Sequence, residues 1–471
     1  MINRFGILNP VARSKKMKYL LFALLILICI IPDILAVLYA PIYFDSGYYL
    51  SIVERINDGF IPYTDFTLAY TPFVFYFFYF LKSIFSVGIC YEFYLIVYFV
   101  IQLLCAVLVY QIAKFIINRK DFSFYAAVLF LLTSHWNDGN SVLLETPSLL
   151  WGLLGFWLSI KYSEKFAVIV AVGCCVALSF LSKQYGIVFL GLITFLILFN
   201  KTRWKQMALL YLGFLLPILC CIIIWKSAFL QTVSGSYGFK IPFLSHIDKV
   251  LEATKQFFFH LFPVLMVGLL LLPIILRNAD KLKIRNYCVL LLSIIGFLLQ
   301  FYFWYSPHYF LYIIPFASIL TFLILSDLKK HKWIYNLFLI LTIGYSFYSV
   351  YFNRVDKIYI KHKNIKQSQY DTAKAILGEV GKSGTLYISS IDLIPEYYLT
   401  NMIPPNFKII GYGFGPALNL KMHLQQLESA DYIIITQNQR DFDYYESSES
   451  LNFFKKRKGI RINSNSFLYE K

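Results

Sequence analysis

The chain has 471 residues, 59% hydrophobic and 19% aromatic but only 15% charged. Soluble domains carry roughly 25% charged residues and rarely sustain apolar runs of about 20. A soluble enzyme, a coiled coil and a disordered scaffold are thereby excluded, leaving a polytopic membrane protein. The formal charge of +17 falls mostly in short clusters between apolar runs, where it fixes orientation against the membrane. No basic groove with interleaved aromatics points to nucleic acid.

Arg4, Arg13, Lys15, Lys16 and Lys18 precede an apolar run over 19–40. That run is too long for a signal peptide's apolar region and lacks a small-residue cleavage site, so it reads as a first span leaving a cytoplasmic N-terminus. Further apolar runs cover 70–87, 93–117, 122–134, 143–160, 165–181, 185–200, 206–229, 257–276, 286–304, 309–326 and 332–352. The run at 70–87 decides the orientation of everything after it. If it crosses, the basic clusters at Asn118–Lys120, Lys201–Lys205, Arg277–Arg285 and Lys329–Lys332 all face outward. If it does not, all four face the cytoplasm, as short basic loops do. It opens on Tyr70-Thr71-Pro72, is rich in Phe and Tyr and holds Lys82, which suits an interfacial or re-entrant helix.

The expected fold is an all-α polytopic membrane domain over 1–352, with about eleven transmembrane helices plus interfacial helices and external loops at 41–92 and 135–144. The run at 122–134 is short for a span. Residues 353–471 change character. A helix is predicted at Tyr370–Val380 and strands at Thr385–Ser389, Phe407–Ile410 and Tyr432–Thr436, with a further helix near Leu420–Glu428. Alternating helix and strand predicts a small extracytoplasmic α/β domain. Gly378–Ser383 is not a phosphate-binding loop, because its first glycine is misplaced and it follows a helix rather than a strand. Cys29, Cys105, Cys174, Cys175, Cys220, Cys221 and Cys288 lie inside apolar runs, and Cys90 sits at a run's edge. They form neither a disulfide framework nor a zinc-type spacing.

The polar constellations gather in the loops that this topology places outside. Phe44-Asp45-Ser46-Gly47-Tyr48-Tyr49 leads into a helix-like stretch with Glu54 and Arg55, and Gly59-Phe60-Ile61-Pro62-Tyr63-Thr64-Asp65-Phe66 follows. A second loop runs His135-Trp136-Asn137-Asp138-Gly139-Asn140 and then Leu144-Glu145-Thr146-Pro147. With Leu181-Ser182-Lys183-Gln184-Tyr185-Gly186 and Ser306-Pro307-His308-Tyr309-Phe310-Leu311, these motifs resemble the family 39-like branch of the GT-C superfamily. That branch holds multi-span glycosyltransferases similar to protein mannosyltransferases and aminoarabinose transferases, and the motifs fall in order over the first 320 or so residues.

The resemblance implies an inverting hexosyl- or pentosyltransferase. It would move a sugar from a polyprenyl-phosphate donor to a glycan, lipid (lipid A included) or protein acceptor at the outer face of a plasma (inner) membrane. No cofactor is certain, and a divalent metal is compatible with the chemistry. An acceptor hydroxyl is a poor nucleophile and needs a carboxylate to take its proton. Asp45 is the candidate base, with Glu145 a second catalytic carboxylate. The departing phosphate develops charge that fixed cations stabilise. Lys183 leads there, with His308 and Arg55 behind it, and Tyr309 and Asp65 complete the candidate substrate-binding set.

Each assignment has a plainer reading. Asp45 could cap the helix that starts near Ser46, and Glu145 could cap the next span or be a solvated loop carboxylate. Lys183 could snorkel to headgroups. Asp65 with Pro62 and Tyr63 is most simply turn chemistry. His308 could be a satisfied interfacial histidine. Asp33, inside the first span, either lines a substrate cavity or pairs with a neighbouring helix. The competing function is a transporter or flippase of lipid-linked sugars. Such proteins place ionisable groups near mid-membrane on broken helices in related halves, whereas here the acids gather at one surface and no halves are evident.

Overall fold

The computed structural model describes residues 26–66, 68, 70–162, 164–198, 202–238, 243–277, 279–300, 306–328, 332–352, 355, 363–381, 384–388, 394–404, 429–436, 459–463 and 466–470. It is a mainly helical bundle with a small C-terminal sheet. The basic N-terminal cluster and the expected elements at Phe407–Ile410 and Leu420–Glu428 lie outside the described residues.

Helix α1 (Ile26–Tyr39) is followed after a 67° bend by α2 (Phe44–Asn57). Then come α3 (Phe73–Phe85), α4 (Tyr91–Ile117), α5 (Lys120–Ser134), α6 (Glu145–Lys161), α7 (Phe166–Ser182) and α8 (Ile187–Ile197). Next are α9 (Arg203–Gly238), kinked at Lys226, α10 (Phe243–Leu261), α11 (Pro263–Arg277), α12 (Lys281–Leu299), α13 (Ile314–Leu328) and α14 (Lys332–Val350). Among the described residues, three helices are long and apolar enough to cross a membrane on their own: α4, the Arg203–Val233 part of α9, and α12. At 13 residues, α3 is about 20 Å long against a hydrocarbon core of about 30 Å. Its Lys82 forms a buried ion pair with Glu54 of α2.

The expected single span at 257–276 is instead two helices, α10 and α11, parting between Leu261 and Pro263. Proline has no N–H to give the preceding turn and disfavours helical geometry at the residue before it. The first of the two reaches back to Phe243, over a stretch the apolar pattern leaves unassigned.

Small residues bring the central helices together. A Cβ on Gly173 of α7 would stand 2.2 Å from the Leu210 carbonyl oxygen, and one on Gly213 of α9 would stand 2.1 Å from that of Val170. The backbones therefore touch, which is how helices associate where burial against lipid gives no drive. Between α6 and α7, Ser148 Oγ donates to the Ser179 carbonyl at 2.8 Å and Ser179 Oγ donates to that of Ser148 at 2.7 Å. Both serine hydroxyls are thus satisfied within the bundle, as a lipid surround requires.

The C-terminal part comprises α15 (Lys363–Val380), β1 (Leu386–Ile388), α16 (Pro395–Thr400), β2 (Tyr432–Thr436), β3 (Gly459–Asn463) and β4 (Ser466–Glu470). The sheet order is β1-β2-β4-β3. Among the described strands only β1 and β2 pair in parallel, with Tyr387 opposite Ile433. Ile434 faces Leu468 across the antiparallel β2–β4 pair. The expected helix starts seven residues earlier than Tyr370, and the β3–β4 hairpin is additional to the expected strands. Tyr397 of α16 packs into the sheet's own core, while its neighbours Tyr398 and Leu399 join the core of the helical bundle. Docking is fixed by hydrogen bonds as well. Gln369 of α15 bonds both backbone groups of Ile42, at 2.9 and 2.8 Å, and Lys366 reaches the Val37 carbonyl at 2.8 Å and Glu92 at 2.6 Å. The sheet therefore sits at the end of the bundle where α1 stops and α4 begins.

Candidate active site

Three turns, far apart in the chain, converge at that same end. The first is the start of α2. Tyr43 occupies the cap position without a side-chain bond, so the helix begins before Ser46 and Asp45 lies inside its first turn rather than capping it. A carboxylate there is favoured by the helix dipole. Ser46 Oγ donates to the Val142 carbonyl at 3.2 Å, which ties the α2 turn to the loop before α6.

That loop is the second. It leaves α5 through a left-handed Asp138 (φ 60), a conformation Asp tolerates better than most residues. Gly139 N–H bonds back to the Ser134 carbonyl at 3.0 Å. The Leu143 carbonyl accepts from the hydroxyl of Tyr98 on α4. Glu145 is then the first residue of α6 and is wholly buried.

At the third turn α7 ends. Ser182 is its last residue, and Lys183 turns extended (φ −153, ψ 132). The short turn Gln184–Gly186 follows, folded so closely over α7 that a Cβ on Gly186 would lie 2.4 Å from Ser179 Oγ. The extended geometry at Lys183 sends its ammonium to Glu145 Oε1, 3.1 Å away.

A fourth segment, the turn Pro307–Tyr312 before α13, completes the group. His308 Nε2 lies 3.4 Å from Glu145 Oε1, and its Nδ1 lies 3.0 Å from Ser306 Oγ. Lys183 Nζ stands 4.6 Å from the Tyr70 ring centre and 5.4 Å from that of Tyr309, distances at which an aromatic face attracts a cation. Tyr309 in turn meets Tyr185 at 4.4 Å, and Tyr70 meets Tyr49 at 5.4 Å. Lys183 is thus held between tyrosine rings rather than reaching for headgroups.

The electrostatics separate the two carboxylates. Burial pushes the Asp45 carboxyl up to about 7, with Lys183 pulling it down and Glu145 pushing it up. Asp45 makes no hydrogen bond or ion pair among the described residues, whereas Glu145 has Lys183 and His308 against it. Burial pulls His308 down to about 4, with Glu145 opposing and Lys183 adding to the fall. That direction favours the neutral imidazole at pH 7, a hydrogen-bonding group where the sequence reading expects a cation.

The remaining expected site residues lie elsewhere. Arg55 donates to the Asn401 backbone carbonyl at 2.7 Å and to that residue's side-chain oxygen, and pairs with Asp58 at 3.5 Å. Its guanidinium anchors the C-terminal part onto α2 instead of facing the Lys183 cluster. Asp65 is exposed and accepts from Ile61 N–H at 2.7 Å across a turn with Tyr63 left-handed (φ 66). That is turn chemistry. Asp33 pairs with His135 at 3.5 Å, so this acid meets a neighbouring segment. Among the described residues no group of three His, Cys, Asp or Glu side chains is arranged to hold a metal ion. The sequence motifs contain Tyr49, Tyr70 and Tyr185 but give them no place among the expected site residues; their position inside those motifs is the signal that could have found them.

No family profile matches the chain and no curated protein does. Solved structures do. ArnT from Cupriavidus metallidurans in the apo state matches with a TM-score of 0.61 at 14% identity, over 97% of this chain and 98% of that one. The same protein bound to undecaprenyl phosphate gives 0.58 at 13% identity, over 96% and 97%. The oligosaccharyltransferase AglB from Archaeoglobus fulgidus, in complex with an inhibitory peptide and a dolichol-phosphate, gives 0.53 at 12% identity, over 92% and 72%. The chain has the GT-C fold, as the sequence motifs imply.

Proposed function

We propose that this protein is an integral membrane glycosyltransferase that moves a sugar from a polyprenyl-phosphate donor to an acceptor at the outer face of the membrane. The observation that carries the reading is the convergence of Asp45, Glu145, Lys183 and His308, from four separate segments, at the end of the bundle where the C-terminal sheet docks. The relatives in fold support it, one bound to undecaprenyl phosphate and another to a dolichol-phosphate. We read the bundle as about eleven crossings, with the basic loops cytoplasmic and residues 353–471 external, in a plasma membrane. The acceptor is a lipid-linked glycan, lipid A or a protein.

The chemistry runs as a single displacement. The acceptor oxygen attacks the anomeric carbon from the face opposite the phosphate, inverting it. The bond from that carbon to the phosphate oxygen breaks, and its electron pair stays on the polyprenyl phosphate. The acceptor's proton passes to Asp45. A base whose pKa lies close to the working pH combines a useful ionised fraction with proton affinity, and about 7 meets that condition. Lys183 stabilises charge growing on the leaving phosphate, its tyrosine flanks fixing where the ammonium points. Glu145 holds Lys183 in place and keeps the buried cation compensated before the donor arrives. His308, neutral, is a hydrogen-bonding group at the same seat.

Purified protein supplied with a panel of polyprenyl-phosphate sugars should release polyprenyl phosphate from at least one of them. Lys183→Ala should raise KM for that donor at least tenfold while changing acceptor KM little. Release from no member of the panel, with transport of a lipid-linked sugar across the bilayer instead, would establish the flippase reading. Unchanged donor KM in Lys183→Ala would remove that residue from the phosphate seat.

A further inference from the structure

At the opposite end of the bundle lies a cleft that the proposed reaction does not use. Phe115 and Ile116 of α4, Phe156 and Ile160 of α6 and Ile197 of α8 form its apolar wall, and Arg285 and Asn286 of α12 stand at its edge. Counting the space at its open mouth it holds about 570 Å³.

Helix direction places it. Glu145 opens α6 at the candidate active site, and Ser159, on the floor of the cleft, lies fourteen residues further along. At 1.5 Å per residue that is about 21 Å. The other helices agree. α8 starts just after Tyr185 and α12 ends at the site, where Gln300 donates to the Tyr185 carbonyl at 3.1 Å. Their far ends therefore meet at the opposite membrane face, the one that carries Arg119, Lys120, Lys161, Lys165 and Lys281.

The charges at the rim differ from one another. Lys283 is taken up by Asp327 at 2.6 Å, and Tyr287 donates to the same carboxylate at 2.7 Å. Asn286 donates to the Ile116 carbonyl at 3.3 Å, which holds α12 against α4. Arg285, one residue away, is exposed and makes no ion pair among the described residues. An apolar slot near the basic face, with at its mouth a guanidinium that has no ion-pair partner among the described residues, is complementary to one kind of molecule, with an acyl chain below and a phosphate above.

We propose that this cleft binds an anionic phospholipid, its phosphate on Arg285 and one acyl chain between α4, α6, α8 and α12. Basic pockets between spans commonly select anionic lipids in this way, and guanidinium–phosphate bonding is charge-assisted and can be bidentate. The site is separate from the donor seat and does not depend on what reaction occurs there.

The test is native mass spectrometry of delipidated full-length protein titrated with phosphatidylglycerol, phosphatidylcholine or inorganic phosphate. One phosphatidylglycerol should bind at least tenfold more tightly than phosphatidylcholine. Arg285→Gln should abolish that preference, and Ser159→Phe, which fills the floor, should lower affinity for both lipids. Lys165→Gln, on the same face but off the cleft, should change nothing. Arg285 is exposed, so its variant decides the matter even if Ser159→Phe misfolds. Equal retention of the two lipids, or a preference untouched by Arg285→Gln, would overturn the proposal. So would inorganic phosphate binding at Arg285 as tightly as the lipid, or a dimer of the chain that Arg285→Gln disperses.

Discussion

Helix α2 carries charge at both ends, and the two ends are treated differently. At its start Asp45 is half-buried and without an ion-pair partner among the described residues, its carboxyl pushed up to about 7 by burial. At its far end Glu54 and Arg55 are buried too, yet both are engaged. Glu54 takes the ammonium of Lys82, and Arg55 takes Asn401 and Asp58. Desolvation acts on all of them, so burial alone does not mark a reactive group. What distinguishes Asp45 is that its neighbours, Lys183 and Glu145, are paired with each other, 3.1 Å apart. One end of α2 leaves its carboxylate without an ion-pair partner among the described residues, as the proposed base requires. The other saturates its partners to hold the C-terminal part in place.

The sharpest way to test that contrast is Asp45→Asn. It preserves shape and removes only the proton acceptor, so sugar transfer should fall by about 10²- to 10⁴-fold with the thermal midpoint of purified protein unchanged. The pH profile gives an independent reading. A base must be unprotonated to act, and the Asp45 carboxyl titrates at about 7. The rate in wild type should therefore rise with pH to about 7 and fall roughly tenfold per unit below about pH 6. A profile flat from pH 5 to 8 would deny Asp45 the role of base.

The residues that converge in the candidate site are largely legible in the sequence. Asp45, Glu145, Lys183 and His308 each stand where an apolar run meets a turn rich in Gly, Pro or Ser, and charge at such a junction is conspicuous in a hydrophobic chain. Of the two rings that flank Lys183, Tyr309 is in the expected set, whereas the role of Tyr70 is not legible, for the opposite reason. With 37 Tyr and 46 Phe in the chain, nothing local assigns Tyr70 or Tyr185 a role until the fold sets one against Lys183 and the other against Tyr309. Arg55 misled because its partner is Asn401, 346 residues away, and no local pattern announces a contact that distant. The β3–β4 hairpin was hidden in the same sense. Its strands are five residues each, with a register irregularity between Arg461 and Asn463, and its alternation is too brief to stand out beside the basic stretch at 455–458.

The anchoring end of α2 makes a different prediction. Lys82→Met leaves the Glu54 carboxylate buried without its cation, and breaking one side of a buried pair costs about 3–5 kcal/mol. Thermal unfolding should shift down accordingly, and Glu54→Gln combined with Lys82→Met should recover most of the loss. Transfer per folded molecule should stay within about twofold of wild type. A Lys82→Met protein of full stability but little activity would move this pair into the reaction and erase the distinction between the two ends.

The smallest effect is expected at Asn401, where the contrast can be drawn within one residue. Asn401 ends α16 in the left-handed region, at φ 55, and offers Arg55 both its backbone carbonyl and its side-chain oxygen. Asn401→Gly keeps the carbonyl and suits the backbone, while removing the side-chain oxygen and the bond from Asn401 Nδ2 to Asp58 at 3.3 Å. Asp58 still pairs with Arg55, so no buried charge is stranded. The loss should be about 1 kcal/mol, the net worth of an ordinary hydrogen bond, partly offset because glycine carries no penalty at positive φ. The transfer rate should not change. If Asn401→Gly instead costs as much as Lys82→Met, the side-chain contact and not the backbone carbonyl is what holds α16 on α2. The C-terminal part would then be hung from a single residue rather than spread along Lys366, Gln369 and α16.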